Sequence, residues 1–270
     1  MSFVDIGEGD PIVFLHGNPT WSYLWRNILP HVTPYGRCLA PDLIGMGQSS
    51  PAPWANYGFV SQAAYLDAWF DSLCLRRRVV LVVHDWGSAL GFYRALRFPE
   101  QVRAIVHMEA IATPRVWSDF GPAEPLFRKL RSDDGAGLVF DQNIFVEEVL
   151  PRGIIRELAP EEMAHYRAPY FDRHRRLPTL VWPRQIPVSG EPAEITAIVE
   201  RYSAWIATSA IPKLLVLGDP GAIVAGRTRE FCETWQNQEK VVVRGRHFLQ
   251  EDSPHEIGVA IATFLGGLEA

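Results

Sequence analysis

Five aliphatic residues in a row, Val79-Val80-Leu81-Val82-Val83, run into His84-Asp85-Trp86, and the chain restarts as a small-residue stretch from Gly87 to Arg97. A continuous β-branched run reads as a strand buried on both faces. The stretch after it reads as a helix. Such a strand lies inside a sheet covered by helices, and its last residues stand at the carboxyl edge beside a helix N-terminus. Asp85 occupies that place, so a carboxylate stands where an open α/β sheet presents its chemistry.

The rest of the chain supplies the sheet. Short strands are predicted at Phe3 to Ile6, Ile12 to Leu15, Arg37 to Pro41, Gln101 to Met108, Lys213 to Leu217 and Glu239 to Val243. Between them lie helical patterns at Trp21 to Leu29 (stopped by Pro30), Val60 to Leu75, Glu194 to Ala207 and Gly226 to Trp235. Ser253-Pro-His-Glu256 has the form of a capping box opening a last helix to Leu265. Strands alternating with helices give a mostly parallel, doubly wound sheet with right-handed crossovers. The alternation fails over 113–187, which is rich in Pro, Arg and aromatics, with short helical patterns at Glu124 to Leu130, Phe145 to Leu150 and Pro160 to Tyr166. We read 113–187 as a helical cap inserted into a core made of 1–112 and 188–270. Arg76-Arg77-Arg78 reads as a solvated helix end. Gly45 and Gly47 lack the third glycine and the lysine of a phosphate loop.

Composition narrows the function classes. The 270 residues carry a net charge of −5, which argues against nucleic acid or an anionic membrane as partner. Cys38, Cys74 and Cys232 have neither metal-ligand nor disulfide spacing and read as buried thiols in a reducing compartment, the cytoplasm. No run reaches the roughly 18 apolar residues of a membrane span. No signal peptide is expected, no metal site is indicated, and monomer and homo-oligomer both stay open.

Asp85, Glu109 and His247 each follow a predicted strand, so all three converge on one sheet edge. An Asp nucleophile needs no base, because it is ionised at pH 7. It suits displacement at an sp³ carbon carrying a leaving group. The resulting alkyl ester must then be hydrolysed. His247 is the candidate base for that water, and Glu109 would orient its imidazole. Trp86 offers an indole N–H and Asn18 a side-chain amide. Two neutral donors in an apolar pocket suit bromide or chloride better than phosphate. The backbone N–H groups of Asn18 and Trp86 would form the oxyanion hole. His84 is read as pointing to the opposite face and His16 as bracing its loop.

Five blocks together resemble the haloalkane dehalogenases of the α/β-hydrolase superfamily over nearly the whole chain. They are His16-Gly-Asn-Pro-Thr20, Val83-His-Asp-Trp-Gly-Ser-Ala-Leu-Gly-Phe92, His107-Met-Glu-Ala-Ile-Ala112, Pro178-Thr-Leu-Val-Trp-Pro-Arg-Gln-Ile-Pro187 and His247-Phe-Leu-Gln-Glu-Asp-Ser-Pro254. The order nucleophile, acid, histidine is that superfamily's order. The resemblance implies hydrolysis of small haloalkanes to alcohol, halide and proton. Water is the only cosubstrate and there is no cofactor. It also implies Glu109 as the acid and Asn18 and Trp86 as the halide ligands. The chain departs from the family in two ways. The family's strand ahead of Phe3 is expected to be missing, which would leave a different sheet edge, and Asp219 stands where other hydrolases place the acid.

Other activities share this scaffold. An epoxide hydrolase would use cap tyrosines, for which Tyr166, Tyr170 and Tyr202 are available. A luciferase-like monooxygenase or a catalytically silent receptor would carry the same motifs. Phe127, Phe145, Ile154, Ile155 and Ile223 are the candidate substrate-pocket residues.

Overall fold

The computed structural model describes residues 1–268. Among these, one seven-stranded sheet runs in the order β1 (Phe3–Ile6), β3 (Arg37–Pro41), β2 (Pro11–Leu15), β4 (Val79–Asp85), β5 (Val102–Ala110), β6 (Lys213–Pro220), β7 (Gln238–Gly245). β1 is antiparallel to β3, and all other neighbours are parallel. The aliphatic run forms β4, fourth in the sheet and buried along its whole length. Each fully buried Val or Leu on it contributes roughly 1.5–3 kcal/mol. At the β1 edge Phe3 packs edge-on against Trp69, with ring centroids 5.6 Å apart.

The helix Trp86–Arg97 starts directly from β4 and packs against β2, β4 and β5. Phe59–Ser72 and Ala193–Thr208 pack on it, while Pro254–Gly267 packs on Leu29–Val32. Close approach sets the glycines at the elbow. A Cβ on Gly87 would stand 2.1 Å from the Leu15 carbonyl oxygen. That contact lets the new helix sit against the end of β2.

Between β5 and Ala193–Thr208 the chain leaves the sheet for a series of short helices, among them Glu124–Arg131, Gly135–Phe140, Pro160–Arg167 and Leu177–Gln185. A buried carboxylate ties this segment down. Glu251 accepts from Arg26 at 2.6 Å and 2.9 Å and from Arg156. Glu162 accepts from the same two arginines, each at 2.7 Å.

Several local readings are corrected. Trp21 to Leu29 is not one helix. Ser22–Trp25 is a 3₁₀ turn, and the α-helical turn is Leu29–Val32 with Pro30 inside its first turn, where a missing N–H costs nothing. Ser253 does not cap its helix by side chain, because its hydroxyl donates to the Arg244 carbonyl at 2.7 Å. Cys74 is exposed, while Cys38 and Cys232 are buried. The three arginines lie in the turn before β4, beyond the helix end at Ser72, and Arg78 pairs with Asp10 at 2.5 Å. Residues 269 and 270 of the expected core range lie outside the described residues.

Candidate active site

Asp85 ends β4 with φ 48° and ψ −125°, and the β4–β5 register shifts between His84 and Asp85. A non-glycine residue there is strained, and such strain is held only where surrounding contacts over-determine it. Those contacts are visible. The Ser88 hydroxyl donates to the Asp85 carbonyl and accepts the Ile111 N–H at 2.9 Å, which ties the elbow to the end of β5. The Asn18 N–H donates to Asp85 Oδ2 at 2.8 Å. A Cβ on Gly17 would lie 2.2 Å from that same oxygen, so only glycine leaves room for the carboxylate.

Glu109, near the end of β5, shares the positive φ, at 44°. Its buried carboxylate accepts the backbone N–H groups of Ala222 at 3.2 Å, Ile223 at 2.6 Å and Val224 at 3.4 Å. The same Oε2 lies 3.2 Å from His247 Nδ1. Asp219 is exposed on β6. It lies just before the loop whose amides hold Glu109, so the acid beside His247 is Glu109. Across the imidazole, Nε2 is 3.8 Å from Asp85 Oδ1.

Burial raises the Asp85 carboxyl above the usual aspartate value; His247 and the backbone N–H groups of Asn18 and Trp86 oppose this, and Glu109 adds to it. For His247, burial opposes the charged ring, but the Glu109 hydrogen bond and the charges of Asp85 and Glu109 outweigh it. The imidazole therefore stands above the ordinary histidine value.

Asn18, Asp85, Trp86 and His247 all line a cavity of about 450 Å³. Glu109 stands behind His247, outside the lining. Asn18 Oδ1 is buried without a hydrogen-bond partner among the described residues. The Trp86 indole stacks on Trp182, with centroids 4.5 Å apart.

Of the expected pocket residues, Phe127, Phe145 and Ile223 line the cavity. Ile154 and Ile155 do not. Ile154 is 3 % exposed in the core, and the Ile155 backbone turns to donate to Asp252 Oδ1 at 2.8 Å. Arg152 and Gly153, just before them, take their place. Sequence reasoning missed Phe120, Leu126, Val149, Ile186 and Phe248. The place of Phe248 beside His247 was a usable signal. It also missed Arg115, for which the sequence held none.

Tyr166 and Tyr170 in the cap, and Tyr202 in the helix Ala193–Thr208, line none of this cavity. The Tyr166 hydroxyl donates to Glu251, the Tyr202 hydroxyl donates to the Ile111 carbonyl at 2.6 Å, and Tyr170 is buried. His16 braces its loop as expected, its Nε2 accepting the Leu43 N–H at 2.9 Å. His84 does not turn away from the site: its ring lies 4.7 Å from that of His247.

A carboxylate on a strand-to-helix elbow, faced by a histidine from the loop after the last strand, is the architecture of the α/β hydrolases. The family model described as alpha/beta hydrolase fold matches residues 10–254. A haloalkane dehalogenase of Sphingobium indicum is 53 % identical over 98 % of this chain and 91 % of its own. One of Mycolicibacterium smegmatis is 48 % identical over 100 % of this chain and 89 % of its own. The crystal structure of haloalkane dehalogenase DbeA from Bradyrhizobium elkani is 45 % identical and superposes with a TM-score of 0.94, covering 99 % of this chain and 94 % of that one. The chain belongs to the haloalkane dehalogenases.

Proposed function

We propose that this protein hydrolyses the carbon–halogen bond of small haloalkanes through an ester on Asp85. The observation that carries the reading is the 3.8 Å gap between His247 Nε2 and Asp85 Oδ1. It is too long for a hydrogen bond. An ionised carboxylate needs no base, and the gap leaves the imidazole for water.

An Asp85 oxygen attacks the halogen-bearing carbon. The carbon–halogen pair departs with the halide, which accepts from the Asn18 side-chain amide and the Trp86 indole. His247 Nε2 then takes a proton from water, and the hydroxide adds to the ester carbonyl carbon. The backbone N–H groups of Asn18 and Trp86 hold the oxyanion. Collapse breaks the acyl–oxygen bond, the departing alkoxide takes the proton still carried by the added oxygen and leaves as the alcohol, and Asp85 is again a carboxylate holding the water oxygen. The proton on His247 leaves to solvent, with Glu109 stabilising the imidazolium meanwhile. Alcohol, halide and one proton balance one haloalkane and one water, with no cofactor.

The segment 113–187 serves as the cap over this cavity, to which it contributes Phe120, Phe127 and Phe145. With no tyrosine in the lining, the epoxide reading lacks its proton donor. Among the described residues no helix is long and apolar enough to cross a membrane. The free cysteines suit the cytoplasm.

His247→Phe tests the scheme. After exposure to 1-bromobutane, intact mass is expected to rise by one butyl group, lost again in Asp85→Ala/His247→Phe. A bromoalkane that releases bromide from the wild type while leaving the His247→Phe mass unchanged would exclude the covalent route.

A further inference from the structure

Arg115 lines the cavity, yet the reaction above gives it no part. Its backbone is clamped on both sides: its N–H donates to the Pro187 carbonyl and its carbonyl accepts the Ser189 N–H, each at 2.8 Å. The guanidinium lies over the Phe120 ring, 4.5 Å from its centroid. One Nη donates to the backbone carbonyl of Asp119. The Nε is buried with no hydrogen-bond partner among the described residues.

The nearby carboxylate is already engaged. Asp119 accepts from Arg227 at 2.6 Å and 3.0 Å and from the Val116 N–H at 2.9 Å. A guanidinium half-removed from water without an anion is costly. Burial accordingly pushes Arg115 below the usual arginine range, an effect that Asp119, Glu109 and Asp85 only partly offset. The cavity wall beside it is mostly hydrocarbon, from Phe120, Leu126 and Phe127, with Asp119, held by Arg227, also in the lining. A guanidinium with an unpartnered Nε–H at a largely apolar wall matches a carboxylate on an alkyl chain.

We propose that Arg115 is a carboxylate-binding subsite, so that the protein takes haloalkanoic acids whose terminal carbon–halogen bond meets Asp85 while the carboxylate pairs with Arg115. The inference rests on the dehalogenase reading and adds the substrate class. It also implies a preferred length, set by the span from Arg115 to Asp85.

The test measures bromide release from ω-bromoalkanoates of about four to ten carbons beside 1-bromoalkanes of matched length. The wild type is expected to favour one bromoalkanoate length, with a KM that rises with salt as an ion pair's does, while the bromoalkane KM stays flat. Arg115→Met is expected to raise the KM of that bromoalkanoate about tenfold more than the KM of the matched bromoalkane, the range of a charge-assisted bond. The salt comparison uses unaltered protein and stands even where the variant folds poorly. Bromoalkane turnover without bromoalkanoate turnover, or an equal loss on both in Arg115→Met, overturns the subsite alone. So does a variant whose only change is weaker inhibition by bromide, which would assign Arg115 to the halide. Failure of the wild type on both series overturns the dehalogenase reading itself.

Discussion

His84 Nε2 lies 2.8 Å from the backbone carbonyl oxygen of His247, and the two rings stand 4.7 Å apart. The residue before the elbow thus holds the residue after the last strand. Burial first, and then the neighbouring His247, push His84 well below the ordinary histidine value, so it is neutral and donates from Nε2. His84→Ala would leave that carbonyl without its donor, at a cost of about 1–3 kcal/mol. Urea unfolding should show this loss, and ester hydrolysis should slow while the first burst of halide persists. Wild-type stability together with wild-type turnover would remove His84 from the support of His247.

The raised His247 pKa sets the acid side of the pH profile. The base must be neutral, so the hydrolytic step should fall as pH drops, with the Glu109 hydrogen bond still favouring the imidazolium after Asp85 is esterified. Glu109→Gln removes a charge that favours the imidazolium. Its midpoint should move to lower pH, and kcat at pH 7 should fall by about 10²–10⁴-fold. For stability the sign is opposite: a folded value above the unfolded one adds stability below the unfolded value, lost as pH rises through the folded one. A pH profile of kcat in the two proteins checks the shift, and coincident midpoints would contradict the pairing.

Asp85 works against the fold. Burial raises its pKa, so folding disfavours the ionised form relative to the unfolded chain. The stability it contributes is present below the unfolded value and is lost as pH rises through the folded one. At neutral pH the ionised side chain is therefore a cost. Asp85→Asn should be inactive yet more stable at pH 7 by about 1 kcal/mol, or roughly 2–4 °C in Tm. Calorimetry showing a lower Tm would mean that the Asn18 and Trp86 N–H groups outweigh burial.

Asn18 is asked to donate twice, from its backbone to Asp85 and from its side chain to the halide. Asn18→Ala removes only the second. Loss of about 2–4 kcal/mol in transition-state stabilisation is expected in the alkylation step, by analogy with removing an oxyanion-hole donor. Single-turnover halide release measures that step directly, and an unchanged rate would take the side chain out of the halide cradle.

Where the sequence misled, a local signal met a tertiary answer. Pro30 looks like a helix stop and is a first-turn residue. Ile154 and Ile155 look like pocket residues because they are apolar and stand in the cap, but the turn after Gly153 aims one into the core and ties the other to Asp252.

The sequence by itself determined the sheet, the elbow and the identity of the groups on it. Periodicity marks β4, the abrupt change of residue type after Val83 marks the turn, and each chemical group follows a strand whose direction carries it to one edge. These are properties of neighbours along the chain. Only the tertiary structure decided which acid reaches His247, what holds that histidine from behind, and which cap side chains face the cavity. Glu109 outcompetes Asp219 because three amides from the loop after β6 converge on it, and Arg115 enters the cavity because Pro187 and Ser189 clamp its backbone. Such contacts join residues up to 163 positions apart, as between His84 and His247. No pattern along the chain encodes them, because they depend on where packing brings distant backbones to rest.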